Sequence, residues 1–447
     1  MQYYSLGKQS PNVDFKTAAI TGQAPDKGLY FPTTIPQFTF EQIERFKTLD
    51  KASLAFEVMK PYVGGTIDDA SLQQICAETI HFDFPLVPIT ETISSLELFH
   101  GPTLAFKDVG ARFMSRCLGY FSKKAAAENG SAANTKPSTV LVATSGDTGG
   151  AVANGFLGVD GVQVIILYPK GKVSPIQELQ LTTCGQNITA LEVEGSFDDC
   201  QAIVKDAFMD AALNAAYNLT SANSINVARW LPQQLYYFFA WQQWVANNGD
   251  AIPMNIVVPS GNFGNICAGM MAKASGLPLG HFVAACNANN VVTRYLQTEK
   301  YEIHKAVATV SNAMDVGNPS NFVRILEIMQ NNFEQLKNSL SSYSYDDIVT
   351  ESTIERIYKA NHYTLDPHGA VAFLAAEEFG KQFGKPAIIL ETAHPVKFPE
   401  VVERAIGETI AIPTSVQFLL DKEKVAIPMG ASFGSFKNWM LSIAAEQ

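Results

Sequence analysis

Twice in this 447-residue chain an apolar run ends in a glycine-rich turn that opens a small-residue helix, and this repeated grammar constrains the fold more than any other feature. The first instance is 139–144 (TVLVAT), the turn SGDTGG and the helical stretch AVANGF, with a further apolar run at 162–168 (VQVIILY). The second is 255–258 (NIVV), the turn PSGNFGN and the helical NICAGMMAKASG, followed by 282–286 (FVAAC) and later 387–390 (AIIL). Runs that are apolar at every position, rather than at alternate ones, belong to strands covered on both faces. Strands separated by helices predict parallel sheets flanked by helices. The expected fold is α/β, with two doubly wound parallel-sheet units and a ligand crevice at the carboxyl ends of their strands. Residues 1–95 mix turn clusters such as 23–28 (QAPDKG) with helical stretches near 40–60 and 70–80, and are expected to form a small N-terminal domain. A polar turn cluster at 247–250 (NNGD) separates a first unit, 96–250, from a second, 251–447.

Composition narrows the function classes. Hydrophobic residues are 47% and charged residues 17% of the chain, a balance that excludes a disordered chain and a membrane protein. With 32 basic and 43 acidic residues the net charge is −11, a field that repels nucleic acid and anionic membranes. An anionic ligand must therefore be captured by local donors. Cys76, Cys117, Cys184, Cys200, Cys267 and Cys286 show no CxxC spacing and are expected to be buried free thiols in a reducing compartment. The opening residues lack a signal peptide's apolar run, and no stretch approaches the roughly 18 apolar residues of a membrane span, so the expected location is the cytoplasm.

Four segments can carry chemistry. In 260–265 (SGNFGN) the glycines allow close approach of a ligand, and free N–H groups at the helix start can cradle a phosphate. The segment matches neither GxGxxG nor GxxxxGK[ST], which leaves a smaller phosphorylated ligand, or a tight connection that binds nothing. Segment 144–150 (TSGDTGG) is either a helix capped by Asp147 or Ser145, or a cradle for an anionic group such as a substrate carboxylate. In 98–108 (LFHGPTLAFKD), Lys107 is either a snorkelling surface lysine or a desolvated amine able to form a Schiff base with an aldehyde cofactor. One such lysine and one phosphate cradle are what pyridoxal 5'-phosphate requires. In 391–398 (ETAHPVKF) the Thr392 hydroxyl either bonds a cofactor ring nitrogen or is satisfied locally at a strand end. The seven histidines show no HExxH, and no GxSxG elbow is present, so neither a metal site nor a serine hydrolase is predicted. The aromatic run 235–241 (LYYFFAW) reads as a buried helix face.

Taken together, the chain resembles the threonine synthases, pyridoxal-phosphate enzymes of the tryptophan-synthase β-type fold, also called fold type II. The similar segments, in the family's order, are SPNVDFKTAAITGQAPDKGLYFP, HGPTLAFKDVGARFM, ATSGDTGGAV, PSGNFGNICAG, AMDVGNPSNF, LDPHGAVA and ETAHPVKFP. The resemblance implies that Lys107 is the Schiff-base lysine and that Gly261, Asn262, Phe263, Gly264 and Asn265 hold the cofactor phosphate. It also implies that Thr392 faces the pyridine nitrogen, and that Ser145, Gly146, Asp147, Thr148 and Gly149 bind the substrate carboxylate. The implied reaction is O-phospho-L-homoserine plus water giving L-threonine plus phosphate, the last step of threonine biosynthesis, in a monomer or homodimer. Arg112, Lys397 and Lys172 lie near the motifs and are candidate cations for the substrate phosphate. Two departures stand out: Lys27 interrupts the family's usual Asp-Gly-Gly-Leu-Tyr, and Asp147 stands where much of the wider fold has asparagine. The rival readings are a phospholyase acting on the same substrate and an inactive homologue that binds a phosphorylated amino acid. The presence of Lys107 argues against the second.

Overall fold

The computed structural model describes residues 1–129 and 136–446. Two sheets carry the expected grammar. A five-stranded, wholly parallel sheet runs Ile427–Gly430, Ile188–Glu194, Val162–Pro169, Ser138–Ala143, Asn218–Ser221 across its width. A six-stranded sheet runs Leu340–Ser344, Leu279–Cys286, Met254–Pro259, Ala387–Glu391, Ile93–Glu97, Leu86–Pro88, and is parallel except at its last pair. A small antiparallel sheet of Val13–Asp14, Gln2–Ser5 and Tyr30–Pro32 belongs to the N-terminal region.

The continuous apolar runs follow from cover on both faces. Val140 and Val142 of one strand point into the central core, while Leu141 and Ala143 point into a separate outer core with Cys200 and Phe436. Ile388 and Leu390 join the same central core, whereas Ala387 and Ile389 face an outer core with Phe373 and Phe379. The central core thus takes in the inner faces of both sheets, and alternate residues of one strand bury on opposite sides. Helix Gln234–Asn248 contributes to it, and residues 235 to 241 are all buried. The aromatic run is therefore apolar all round and not along one face, as befits a helix enclosed by the core.

The linear division at 96 and 251 does not follow the sheets. Strand Ile93–Glu97 pairs in parallel with Ala387–Glu391 and so lies in the second unit's sheet. Strand Ile427–Gly430 pairs with Ile188–Glu194 in the first, and the Tyr217 hydroxyl donates to the Met440 carbonyl at 2.6 Å. A strand joins a sheet through backbone bonds that carry no side-chain signature, so chain order cannot report which sheet it enters. The cluster at 247–250 is a helix end: Gly249, at φ 75°, donates its N–H to Val245. The departure at Lys27 leaves the turn intact. Lys27 takes the left-handed conformation, φ 66°, and its N–H donates to Ala24 at 2.8 Å.

Candidate active site

At the carboxyl ends of both sheets a cavity of about 590 Å³ gathers Lys107, Ser145, Asp147, Thr148, residues 261 to 265 and Thr392. Gly146, Gly149 and Arg112 do not line it.

The 144–150 turn is built by Thr144, whose Oγ1 accepts from the N–H groups of Gly146 at 3.0 Å and Gly149 at 2.9 Å. Gly146 has φ 137°, and a Cβ there would lie 2.5 Å from the Gln177 amide, so glycine is required. Gly146 is itself the cap position of helix Asp147–Phe156 and makes no side-chain cap bond. Neither Asp147 nor Ser145 caps this helix, because Thr144 takes the Gly149 amide that a capping side chain would accept from. Asp147 is freed for another contact. Its Oδ1 accepts from Lys397 Nζ at 2.7 Å and Gln177 Nε2 at 2.9 Å, and its Oδ2 lies 3.6 Å from Lys107 Nζ. Burial opposes its ionisation, but Lys397 and then Lys107 outweigh that penalty and hold its carboxyl well below the usual range.

Lys107 opens helix Lys107–Asn129 and is 17% exposed, too enclosed for a snorkelling surface residue. The segment before it is pinned to the second sheet: Phe106 donates its N–H to the Thr392 carbonyl at 2.9 Å, and Ala105 bridges Ala393. Asp108 is buried, accepts from Thr103 N–H and Oγ1, and is pushed by burial to about 6. Burial lowers the pKa of the Lys107 amine; Asp147 opposes that shift, and Lys397 and Arg229 reinforce it.

The second loop leads from strand Met254–Pro259 into helix Gly264–Ala274, with Phe263 left-handed at φ 58° in the cap position. A Cβ on Gly261 would stand 2.5 Å from the Met314 Cα, so the missing side chain admits the 311–317 segment against the loop. Asn262 is spent on the protein: its Oδ1 accepts from Ser320 N–H and Oγ, each at 2.7 Å, and its Nδ2 donates to Ser224 Oγ. Asn265 differs. Its Oδ1 accepts from Tyr237 at 2.6 Å, but its buried Nδ2 has no partner among the described residues.

None of the three candidate phosphate cations faces this cavity. Arg112 lies five residues after Lys107, about 140° around the helix, and donates twice to the Glu78 carbonyl, at 2.9 and 3.2 Å. Lys397 is fully buried and bonded to Asp147 and the Thr103 carbonyl. Lys172 is exposed on the turn after Val162–Pro169. The structure instead brings Arg229 and His368 to the cavity wall. Arg229 is 3% exposed, its Nε has no partner among the described residues, and burial lowers it to about 10. His368 Nδ1 lies 2.6 Å from Asp366, and its Nε2 accepts from Ala313 N–H at 3.2 Å. His368 sits in the LDPHGAVA segment, a signal present in the sequence but without a role attached. Arg229 had no such signal.

The donor set fits a phosphorylated aldehyde. An amine that burial drives toward neutrality can attack a carbonyl, and an unpaired buried amide beside a helix start can donate to a phosphate. The Thr392 hydroxyl, 7% exposed, has no side-chain bond among the described residues and can face a ring nitrogen.

Comparison with known proteins agrees with this chemistry. The chain matches the families "Threonine synthase N terminus" at residues 2–80, "Pyridoxal-phosphate dependent enzyme" at 95–391 and "Threonine synthase, C-terminal" at 369–438. Threonine synthase of Serratia marcescens is 38% identical over 445 residues, covering 100% of both chains. The crystal structure of threonine synthase from Escherichia coli superposes with a TM-score of 0.90 at 38% identity, covering 99% of this chain and 100% of that one. The pyridoxal-phosphate-bound threonine synthase of Brucella melitensis gives 0.90 at 34% identity, covering 99% of each. Threonine deaminase from Solanum lycopersicum, at 13% identity and a TM-score of 0.53, shares the fold alone. The two-sheet scaffold, its buried lysine and these full-length likenesses place the chain in the threonine synthase family of pyridoxal-phosphate dependent enzymes.

Proposed function

We propose that this protein converts O-phospho-L-homoserine and water to L-threonine and phosphate, with pyridoxal phosphate held through Lys107. The observation that carries the reading is the convergence of the Lys107 amine, the unpaired Asn265 amide and the Thr392 hydroxyl on one cavity at the ends of two parallel sheets. When bound, the cofactor supplies an electron sink for charge developing at the substrate's α and β carbons. The 261–265 loop, opening helix Gly264–Ala274, holds the cofactor phosphate, and Thr392 faces the ring nitrogen.

The reaction removes protons from Cα and Cβ, expels phosphate from Cγ, returns a proton to Cγ, and adds water as a hydroxyl at Cβ and a proton at Cα. Lys107 is the base for the α-proton, because burial disfavours its ammonium form. The cavity-lining part of the 145–149 loop, Ser145 and Thr148, binds the substrate carboxylate at the start of helix Asp147–Phe156. Asp147 in the same loop would repel that carboxylate were its charge not already balanced by Lys397. Arg229 adds positive potential to the wall of a chain that is otherwise acidic. The six free cysteines fit a cytoplasmic location, and among the described residues no helix is long and apolar enough to cross a membrane.

The test is product analysis of the cofactor-loaded protein given O-phospho-L-homoserine, counting phosphate, threonine and 2-oxobutyrate together. Threonine equal to phosphate is expected. Phosphate matched by 2-oxobutyrate makes the protein a phospholyase, and no phosphate release overturns the substrate assignment.

A further inference from the structure

We propose that Lys397 is a positioning residue for Lys107: it holds the carboxylate of Asp147 as a fixed anion 3.6 Å from the Lys107 amine. The inference rests on the reading of Lys107 as the cofactor lysine and adds a residue that never meets cofactor or substrate.

Three observations carry it. First, Lys397 is fully buried and lines no part of the cavity, so its charge serves something inside the protein. Second, both of its contacts are accounted for. Its Nζ is 2.7 Å from Asp147 Oδ1 and donates to the Thr103 carbonyl at 2.8 Å, the same carbonyl that Gln180 Nε2 reaches at 3.1 Å. Third, the two lysines take different oxygens of Asp147, Lys397 on Oδ1 and Lys107 on Oδ2. The carboxylate is thus shared, and the lysine on the shorter contact is the one that cannot reach the ligand.

The arrangement answers a charge problem set by the chemistry. A lysine that alternates between carrying the cofactor and acting as a base changes its own charge. A buried carboxylate with that lysine as its sole partner would be left uncompensated whenever the lysine is neutral, and would take up a proton. Lys397 removes that alternation. It also tethers three segments that form the crevice: the 98–108 loop through Thr103, the 144–150 loop through Asp147, and its own turn after strand Ala387–Glu391. The other charged groups around the pair are Asp108, bonded to Thr103, Arg229 in the cavity wall, and His394 on the Lys397 turn.

The test is the pH dependence with which the full-length, cofactor-free protein captures pyridoxal phosphate. Capture is frozen with borohydride, and the labelled peptide is identified by mass. Because only the neutral amine captures, a one-unit change in its pKa alters the rate about tenfold on the acid side. Lys397→Met leaves Asp147 wholly to Lys107, so the midpoint moves to higher pH and capture at neutral pH slows. Asp147→Asn removes the attraction, so the midpoint moves to lower pH. Opposite shifts are the expected result. Shifts in the same direction, or a Lys397→Met variant that captures less at every pH with an unmoved midpoint, overturn the proposal and leave Lys397 a brace. If a single variant does not fold, the neutral double variant Lys397→Met/Asp147→Asn is read against the parent; its midpoint is expected below the parent's, and an unmoved one overturns the proposal. A labelled peptide that does not contain Lys107 overturns the cofactor-lysine reading instead.

Discussion

Replacing Gly261 with alanine tests whether the 261–265 loop and the segment across from it form one rigid seat. The added Cβ would lie 2.5 Å from Met314 Cα, 3.0 Å from its carbonyl carbon and 3.1 Å from its oxygen. Ordinary carbon contacts sit near 3.5–4.0 Å, so one side must retreat by about 1 Å. The 311–317 segment resists: Met314 donates its N–H to Ser311 at 2.9 Å, Ala313 to His368, and Asp315 is bonded to Asn287, Asn289 and Thr309. Overpacking of this kind costs about 1–3 kcal/mol. If the loop yields, that cost falls on cofactor binding, and the dissociation constant of pyridoxal phosphate rises about 5- to 150-fold. Fluorescence titration of Gly261→Ala measures it directly, and thermal unfolding with and without cofactor measures the same loss as a smaller ligand-induced stabilisation. A variant that binds the cofactor as tightly as the parent and melts at the same temperature refutes the rigid-seat argument.

Other expectations follow from single residues. Lys27→Gly relieves a left-handed lysine at φ 66° and stabilises the protein by about 0.5–1 kcal/mol in urea unfolding. Arg112→Ala removes two hydrogen bonds to the Glu78 carbonyl and costs about 1–3 kcal/mol of stability, while kcat/KM for O-phospho-L-homoserine is unchanged. Glu391 is fully buried, its Oε2 has no partner among the described residues, and burial followed by the Asp366 charge raises its pKa well above the ordinary 4.5. Its raised value means that the folded state binds the extra proton, so its contribution is full below pH 4.5 and is lost as pH climbs toward the folded value. Glu391→Gln therefore flattens the decline in urea stability between pH 5 and pH 8, and an unchanged slope counts against it.

The sequence by itself determined the layers of this protein and the local form of its two loops. Unbroken apolar runs such as 139–144 require cover on both faces, and the glycines after them belong to turns whose backbones leave no room for a side chain. These are short-range demands, written within about ten residues, and Lys107, the 261–265 loop and Thr392 were legible on that basis, together with the family resemblance, as candidates that the fold brings to one cavity. Tertiary structure decided which charges meet. Arg112 and Lys397 looked equivalent by proximity to motifs, yet helix rotation turns one outward to Glu78 and the turn after Ala387–Glu391 carries the other inward to Asp147. The capping of helix Asp147–Phe156 passed to Thr144 for the same reason: which hydroxyl faces the loop's amides depends on how the strand end is oriented. Arg229 and the sheet placement of strands Ile93–Glu97 and Ile427–Gly430 were likewise settled by packing. Pairings between residues hundreds of positions apart depend on how elements dock, and local propensity carries no record of that.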